Sequence, residues 1–228
     1  MLQDRTGPSP AAAPSGFAAG VIIAVCAATT IVALSHHPTL AHREGPAAAL
    51  ADIVRFATTD RIVHGVMIAV MSALLFALCV FSVRRDLRDQ TVLGALVAFA
   101  LGAGTLIGAA IIDGFVVPSI AAVYAAAPPA TLPVAAGLLQ LCGAAIQAAS
   151  EVGIAAIAVA ILLWSIGLVR STGVLRLSGV VGIVAALLTA AVVVSGGGGL
   201  TPHLLVGMAI GQAVWYFVIA ALLVRGRV

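Results

Sequence analysis

Apolar residues fall along the chain in six blocks with almost no polar interruption, at 17–35, 62–83, 92–113, 149–169, 174–195 and 204–224. Each is close to the ~20 residues an α-helix needs to cross the hydrocarbon core of a bilayer. The pattern predicts an all-α, polytopic membrane protein: a six-transmembrane-helix bundle over residues 17–228, preceded by a short tail, 1–16. Two longer stretches between blocks, 36–61 and 114–148, lie on one face of it. The first block resembles a secretory signal in one respect, because Ala33 and Ser35 are small residues placed before His36. Cleavage there would leave His36 at a new N-terminus, an arrangement able to chelate copper. The run is long for a signal core, so it reads as an anchor.

Composition agrees with lipid as the solvent. Of 228 residues 62% are hydrophobic and 8% charged, against about 25% charged in a soluble domain, and the mean hydropathy is +1.21. The net charge of +3 is carried by arginine, with no lysine in the chain. Aromatics are few and no basic stripe is present, which excludes a nucleic-acid partner. The arginines mark topology instead. Arg5, Arg84, Arg85, Arg88, Arg170, Arg176, Arg225 and Arg227 flank the blocks on one side, and Arg43, Arg55 and Arg61 on the other. The positive-inside rule then puts both termini in the cytoplasm. Arginine without lysine, together with an excess of Ala and Gly, suits a bacterium with GC-rich coding, hence a multi-pass protein of the bacterial cytoplasmic (inner) membrane.

With that orientation, depth follows from the helical rise. His36, His64, Asp113, Glu151 and His203 each lie about 27–31 Å above the cytoplasmic end of their own block. Five blocks thus bring ionisable groups to one layer at the outer edge of the hydrocarbon. Helix ends are also where polar residues cost least, so His37 and His42 read as solvated loop residues, and Asp113, before Gly114, fits a water-exposed helix end. Glu151 fits that account poorly. It falls within about 40° of Gln140 and Gln147 on the helical wheel, and a polar stripe on an apolar helix faces protein or a wet cavity rather than lipid.

The chemistry open to such a layer is metal binding or proton transfer. His64 and His203, with Asp113 and Glu151 and with His36 nearby, form a candidate set for Zn or Cu, in which Asp113 or Glu151 would be a third ligand or a general base. Met67 and Met71 share a helix face with His64, and imidazole with thioether suits Cu(I), although Met at helical spacing is usually core filler. Cys26, Cys79 and Cys142 are odd in number, without CxxC spacing, and read as packing residues.

The connecting stretches are themselves apolar. Pro46 opens a predicted amphipathic helix lying in the headgroup region, with Leu50, Ile53, Val54 and Ala57 on one face, Asp52 and Arg55 opposite, and Thr59 or Asp60 capping the second span. Residues 115–147 read as a short interfacial helix, a break at Pro128-Pro129 and an outward extension of the fourth span, together roofing the polar layer. The tract "SGGGGLTPH" is a predicted hinge and lacks the GK[ST] ending of a phosphate loop. Gly104 with Gly108, and Gly207 with Gly211, form small-residue stripes suited to close helix contact, and Gln212 is placed to bond a neighbouring helix.

The segments "PAAALADIVRFATTDRIVHGVMI", "DGFVVPSIAAVYAAAPP", "ILLWSIGLVR" and "HLLVGMAIGQAVWYFVIAALLVRG" resemble a group of bacterial six-helix integral membrane proteins, from about residue 46 onward. The shared features are His64, Asp113-Gly114, His203, and Gln212 with Trp215; the His36-His37 pair departs from them. The group has no established activity, so the resemblance implies the fold and little of the function.

Two functional expectations follow. One is a metal-dependent protein, an enzyme acting on a lipid or hydrophobic substrate at the outer leaflet. The other is a non-catalytic subunit or a small-solute or proton-coupled transporter, whose polar layer is structural or gating. Neither HExxH nor GxSxG is present to favour an enzyme, and no broken helix or inverted repeat favours transport.

Overall fold

The computed structural model describes residues 16–36, 45–195 and 202–228, without the side chains of Pro202 and His203. Its helices are α1 (Gly16–Ser35), α2 (Pro46–Arg84), α3 (Gln90–Ile111), a π-helical turn (Ile112–Val116), α4 (Val117–Ala125), a 3-10 turn (Pro129–Thr131), α5 (Leu132–Val169), α6 (Gly173–Ser195) and α7 (Pro202–Val224). No strand occurs among the described residues. Six helical units are long and apolar enough to cross a membrane, α3 and α4 forming one of them through the π turn.

Each span packs on its chain neighbour and α7 returns to α1, closing a ring in the order α1, α2, α3, α5, α6, α7. Short turns make this the natural topology, because consecutive antiparallel helices need only a few residues to reverse. At the arginine-rich end the turn after α2 uses Asp86 at φ 74, a backbone conformation that aspartate tolerates. Asp89 then caps α3, its Oδ1 accepting the Thr91 amide at 2.7 Å. Arg84 Nε donates to the main-chain oxygen of Val228 at 2.9 Å, tying α2 to the end of α7.

The ring is filled unevenly. Toward the arginine-rich end its centre is aromatic. Trp164 and Trp215 stack with centroids 5.9 Å apart, and Phe81, Phe99 and Tyr216 meet them at steeper angles. The Trp164 indole donates to Ser82 Oγ at 3.1 Å. Offset stacks and edge contacts of this kind add about 0.5–1.5 kcal/mol per pair beyond their buried area. Backbones approach closely at Gly20 against Ala220, at Gly102 against Gly153 and at Gly179 against Ser165 and Val169, while Gly182 lies tight against the side chains of Ser165 and Trp215. The predicted stripes do not do this. Gly104, Gly108, Gly207 and Gly211 all have open space where a Cβ would stand. Spacing alone identifies a small face without telling which way it turns.

The opposite end departs from the expected flat lid. α2 runs unbroken for 39 residues and α5 for 38, about 58 Å each at the helical rise, well beyond a hydrocarbon core of ~30 Å. Their extensions pack with α4 around Leu50, Ile53, Ala121 and Ala135. The segment after Pro46 therefore continues the second span instead of lying flat. Asp52 is buried and Val54 exposed, the reverse of the expected faces, because α2 turns Leu50 and Ile53 toward α4. The break at Pro128-Pro129 and the outward extension of α5 are as expected. Residues 196–201, with the predicted hinge, lie outside the described residues, as do His37 and His42.

Candidate functional site

His64 is buried on α2, 3% exposed. Its Nδ1 lies 2.9 Å from the Asp60 carbonyl oxygen and 3.1 Å from Asp60 Oδ1. Both are acceptors, so Nδ1 carries a proton and donates. Its Nε2 lies 3.2 Å from Asp113 Oδ2. Asp60 was expected to cap a helix; with no helix end there, its side chain is free to hold the imidazole one turn on. With Nδ1 protonated, the Nε2–Asp113 contact shares one further proton, either on the ring or on the carboxyl. The pair is a proton-sharing contact between two spans, with His64 buried and Asp113 partly exposed.

Local sequence explains how Asp113 arrives there. Pro118 has no N–H to give the carbonyl of Gly114, four residues earlier, and its ring crowds that position. The helix widens into the π turn Ile112–Val116, the kind of local bulge that recurs at functional sites. The turn brings Gly114 so near His64 that a Cβ there would overlap the His64 Cβ and Cγ. Glycine at 114 is therefore a condition for the His64–Asp113 contact.

His64 and Asp113 stand on the wall of an internal cavity of about 290 Å³. α1, α2, α3 with the π turn, α5 and α7 all line it; α6 does not. The lining is mostly aliphatic, with Gln147 and Ser150 from α5 and Gln212 and Tyr216 from α7 as further polar positions. Gln212, expected to bond a neighbouring helix, faces this space. Met67, Met71 and Met208 all contribute to the wall, so every methionine after Met1 is found here.

Of the five residues expected to form the site, the structure joins His64 and Asp113. Glu151 is half-buried, accepts a 2.7 Å hydrogen bond from Gln147 Nε2, and is not part of the lining. His36 is exposed, its Nδ1 2.9 Å from the Val32 carbonyl of its own helix. The side chain of His203 lies outside the described residues. Among the described residues no three His, Cys, Asp or Glu side chains form a group able to hold one ion; Asp60 and Asp113 sit on opposite ring nitrogens of His64 and cannot share one. Asp60, Met208, Ser150 and Tyr216 were not singled out as site residues from sequence. Only Asp60 had a local signal, its i, i+4 spacing to His64.

Six spans arranged around a cavity with an imidazole–carboxylate contact on its wall define the class: a multi-pass α-helical membrane protein with a candidate site within the bundle. Compared with protein-family models, curated proteins and solved structures, the chain has no match.

Proposed function

We propose that this membrane protein takes a hydrophobic small molecule into the ring and meets its polar group with His64 and Asp113. The observation that carries the reading is the cavity of about 290 Å³ with that pair on its wall. Its size lies at the lower end of small-molecule sites, and a mostly apolar lining with a few polar groups is what such sites have in common. A buried histidine held between two carboxylates is costly against lipid and is a functional position by default inside a span. Its proton-sharing contact suits hydrogen bonding to a ligand, or exchange of a proton with it, with Asp113 as the base. Glu151 serves to hold Gln147. On the positive-inside rule the arginine-rich end faces the cytoplasm of a bacterium and the cavity lies in the outer half of its inner membrane.

Protein purified into lipid nanodiscs should carry or take up one hydrophobic molecule per chain, read by native mass spectrometry. Filling the cavity by Ala209→Phe should remove that binding while the protein still folds. Failure to bind any such molecule would overturn the reading.

A second reading, a transition ion of the Zn or Cu kind, draws on one distance. Two donors 3.2 Å apart fit a tetrahedral ion with bonds of about 2.0–2.2 Å, and a carboxylate on the other ring nitrogen is the usual orienting partner of a ligating histidine. His64 and Asp113 would hold it, and His203 is the expected third donor. Elemental analysis of purified protein should then show metal that His64→Ala loses; metal-free wild-type protein would remove this reading alone.

A further inference from the structure

We infer that the cavity has a second polar contact at its inner end, an inference that rests on its reading as a small-molecule site. There Tyr216 and Gln212 bind a neutral oxygen acceptor carried by the hydrophobic molecule. Nothing in this contact depends on His64 or Asp113.

Tyr216 lines the cavity while only 6% exposed, and its ring is held against Trp215 with centroids 5.5 Å apart. Its hydroxyl has no hydrogen-bond partner among the described residues. Unlike Ser165 Oγ and the Trp215 N–H, however, it is not sealed among neighbouring atoms. The open surface it keeps borders the cavity. Gln212 stands on the same wall, one turn outward and on the same face of α7. Its amide is likewise unpaired among the described residues, and the two groups do not bond each other.

Their position separates them from the first pair. Arg84 reaches both Gly16 and Val228, so α1, α2 and α7 share one level at the arginine-rich end. His64 is the outermost lining residue of α2 and Tyr216 the innermost of α7. Counted from that shared level, the two lie on the order of 15 Å apart along the bundle axis at the helical rise. A group that bonds Tyr216 is therefore a different one from any that meets His64.

Donors and charge decide what that group is. A phenol O–H and a primary amide together present three donors, and a buried donor left unpaired is rarer in proteins than an under-used acceptor. A ketone, ester or ether oxygen accepts from them. Among the described residues no arginine lines the cavity, and the chain has no lysine. An anionic group at this end would be buried without a counter-charge, which is costly. The one carboxylate of the lining, Asp113, stands at the other end, so a cation is no better matched.

The test sets benzophenone, a hydrophobic ketone, against diphenylmethane, the same skeleton without the oxygen. Both are tritiated and titrated into wild-type protein in nanodiscs, with empty nanodiscs as background. The ketone should bind about tenfold more tightly, the worth of one neutral hydrogen bond. Tyr216→Phe keeps the ring and its packing; it should bring the ketone down to the hydrocarbon's affinity and leave the hydrocarbon unchanged. The carbonyl stretch of bound benzophenone should lie at lower frequency in wild type than in Tyr216→Phe. The para-carboxylate of benzophenone should bind at least about tenfold less well than the ketone. Equal ketone affinity in wild type and Tyr216→Phe would overturn the second contact. So would a fall of more than a few degrees in the thermal midpoint of ligand-free Tyr216→Phe, because the hydroxyl would then be bonded without a ligand. Equal binding of the carboxylate would overturn the neutral acceptor. If neither probe binds saturably the contact is overturned, and the cavity reading falls with it only if native mass spectrometry also finds no retained molecule.

Discussion

Gly114 and His64 show how much one missing carbon can decide. A Cβ at 114 would overlap the imidazole, and His64 has no free space to retreat into without leaving Asp113 or Asp60. Gly114→Ala should therefore cost about 1–3 kcal/mol, the range for overpacking a tight site, and should also abolish ligand uptake. Thermal unfolding in nanodiscs reads the first effect and native mass spectrometry the second. Ser165 presents the opposite case. Its hydroxyl is buried with no hydrogen-bond partner among the described residues, as is the indole N–H of Trp215 beside it. Removing an unsatisfied polar group recovers its desolvation cost, so Ser165→Ala should stabilise the protein by about 1 kcal/mol. A comparable loss of stability would show that the hydroxyl has a partner after all. Asp89 gives a pH-dependent term. The bonds from Thr91 to its carboxylate hold its pKa below the ordinary 3.8. A lowered folded pKa means that its stabilising contribution is fully present above the unfolded value and fades as pH falls through the folded one. The stability difference between wild type and Asp89→Ala should thus be constant near neutrality and shrink only in acid below about pH 4.

At the scale of elements, the helices differ in what their glycines permit. Gly182 sits where α6 meets α5 and α7, and a Cβ there would strike Ser165 Oγ and the Trp215 ring. Gly182→Ala should destabilise by at least the 1–3 kcal/mol of ordinary overpacking, because an indole locked in an aromatic stack cannot move aside. Gly104→Ala and Gly207→Ala meet nothing and should be neutral, or stabilising by up to about 1 kcal/mol through helix propensity. Unfolding midpoints of the three variants under one condition test the contrast directly; equal losses in all three would mean that the open faces are packed in the membrane. The π turn is the other element-scale device. It inserts its extra residue where Pro118 has already removed a backbone donor, so the bulge costs little and delivers Asp113 to the cavity.

The whole molecule is a ring with a solid aromatic half and a hollow half. The arginines cluster at the solid end, around the turns after α2 and α5 and after α7. A reporter fused after Val228 is expected to be active only in the cytoplasm, and one inserted at Pro128, between α4 and α5, only outside. The reverse pattern would invert the membrane placement while leaving the ring and its cavity unchanged. Beyond the hollow end α2, α4 and α5 continue as a three-helix extension. Its length follows from continuous helix through residues 46–61, where the apolar sequence had suggested a helix lying flat, and through 132–148, where an outward extension was expected.

The sequence by itself determined the class and the number of spans, and it placed His64 and Asp113 among five candidates at one height. Six apolar blocks of membrane length leave no other way to satisfy backbone hydrogen bonds in lipid, and the common height of His64 and Asp113 follows from counting residues along helices. Height, however, says nothing of rotation. The same count gave His36 and Glu151 equal standing, yet one faces out beside its own helix and the other turns to Gln147. Rotation about each helix axis is set by packing against neighbours, and the hydrophobic contrast that would reveal it from sequence is missing when both protein and lipid are apolar. For the same reason the small-residue stripes at Gly104 and Gly207 misled, while Gly102, Gly153 and Gly182 make the close contacts. The cavity was illegible altogether: it is the space that five helices fail to fill, a property of their arrangement and of no single one.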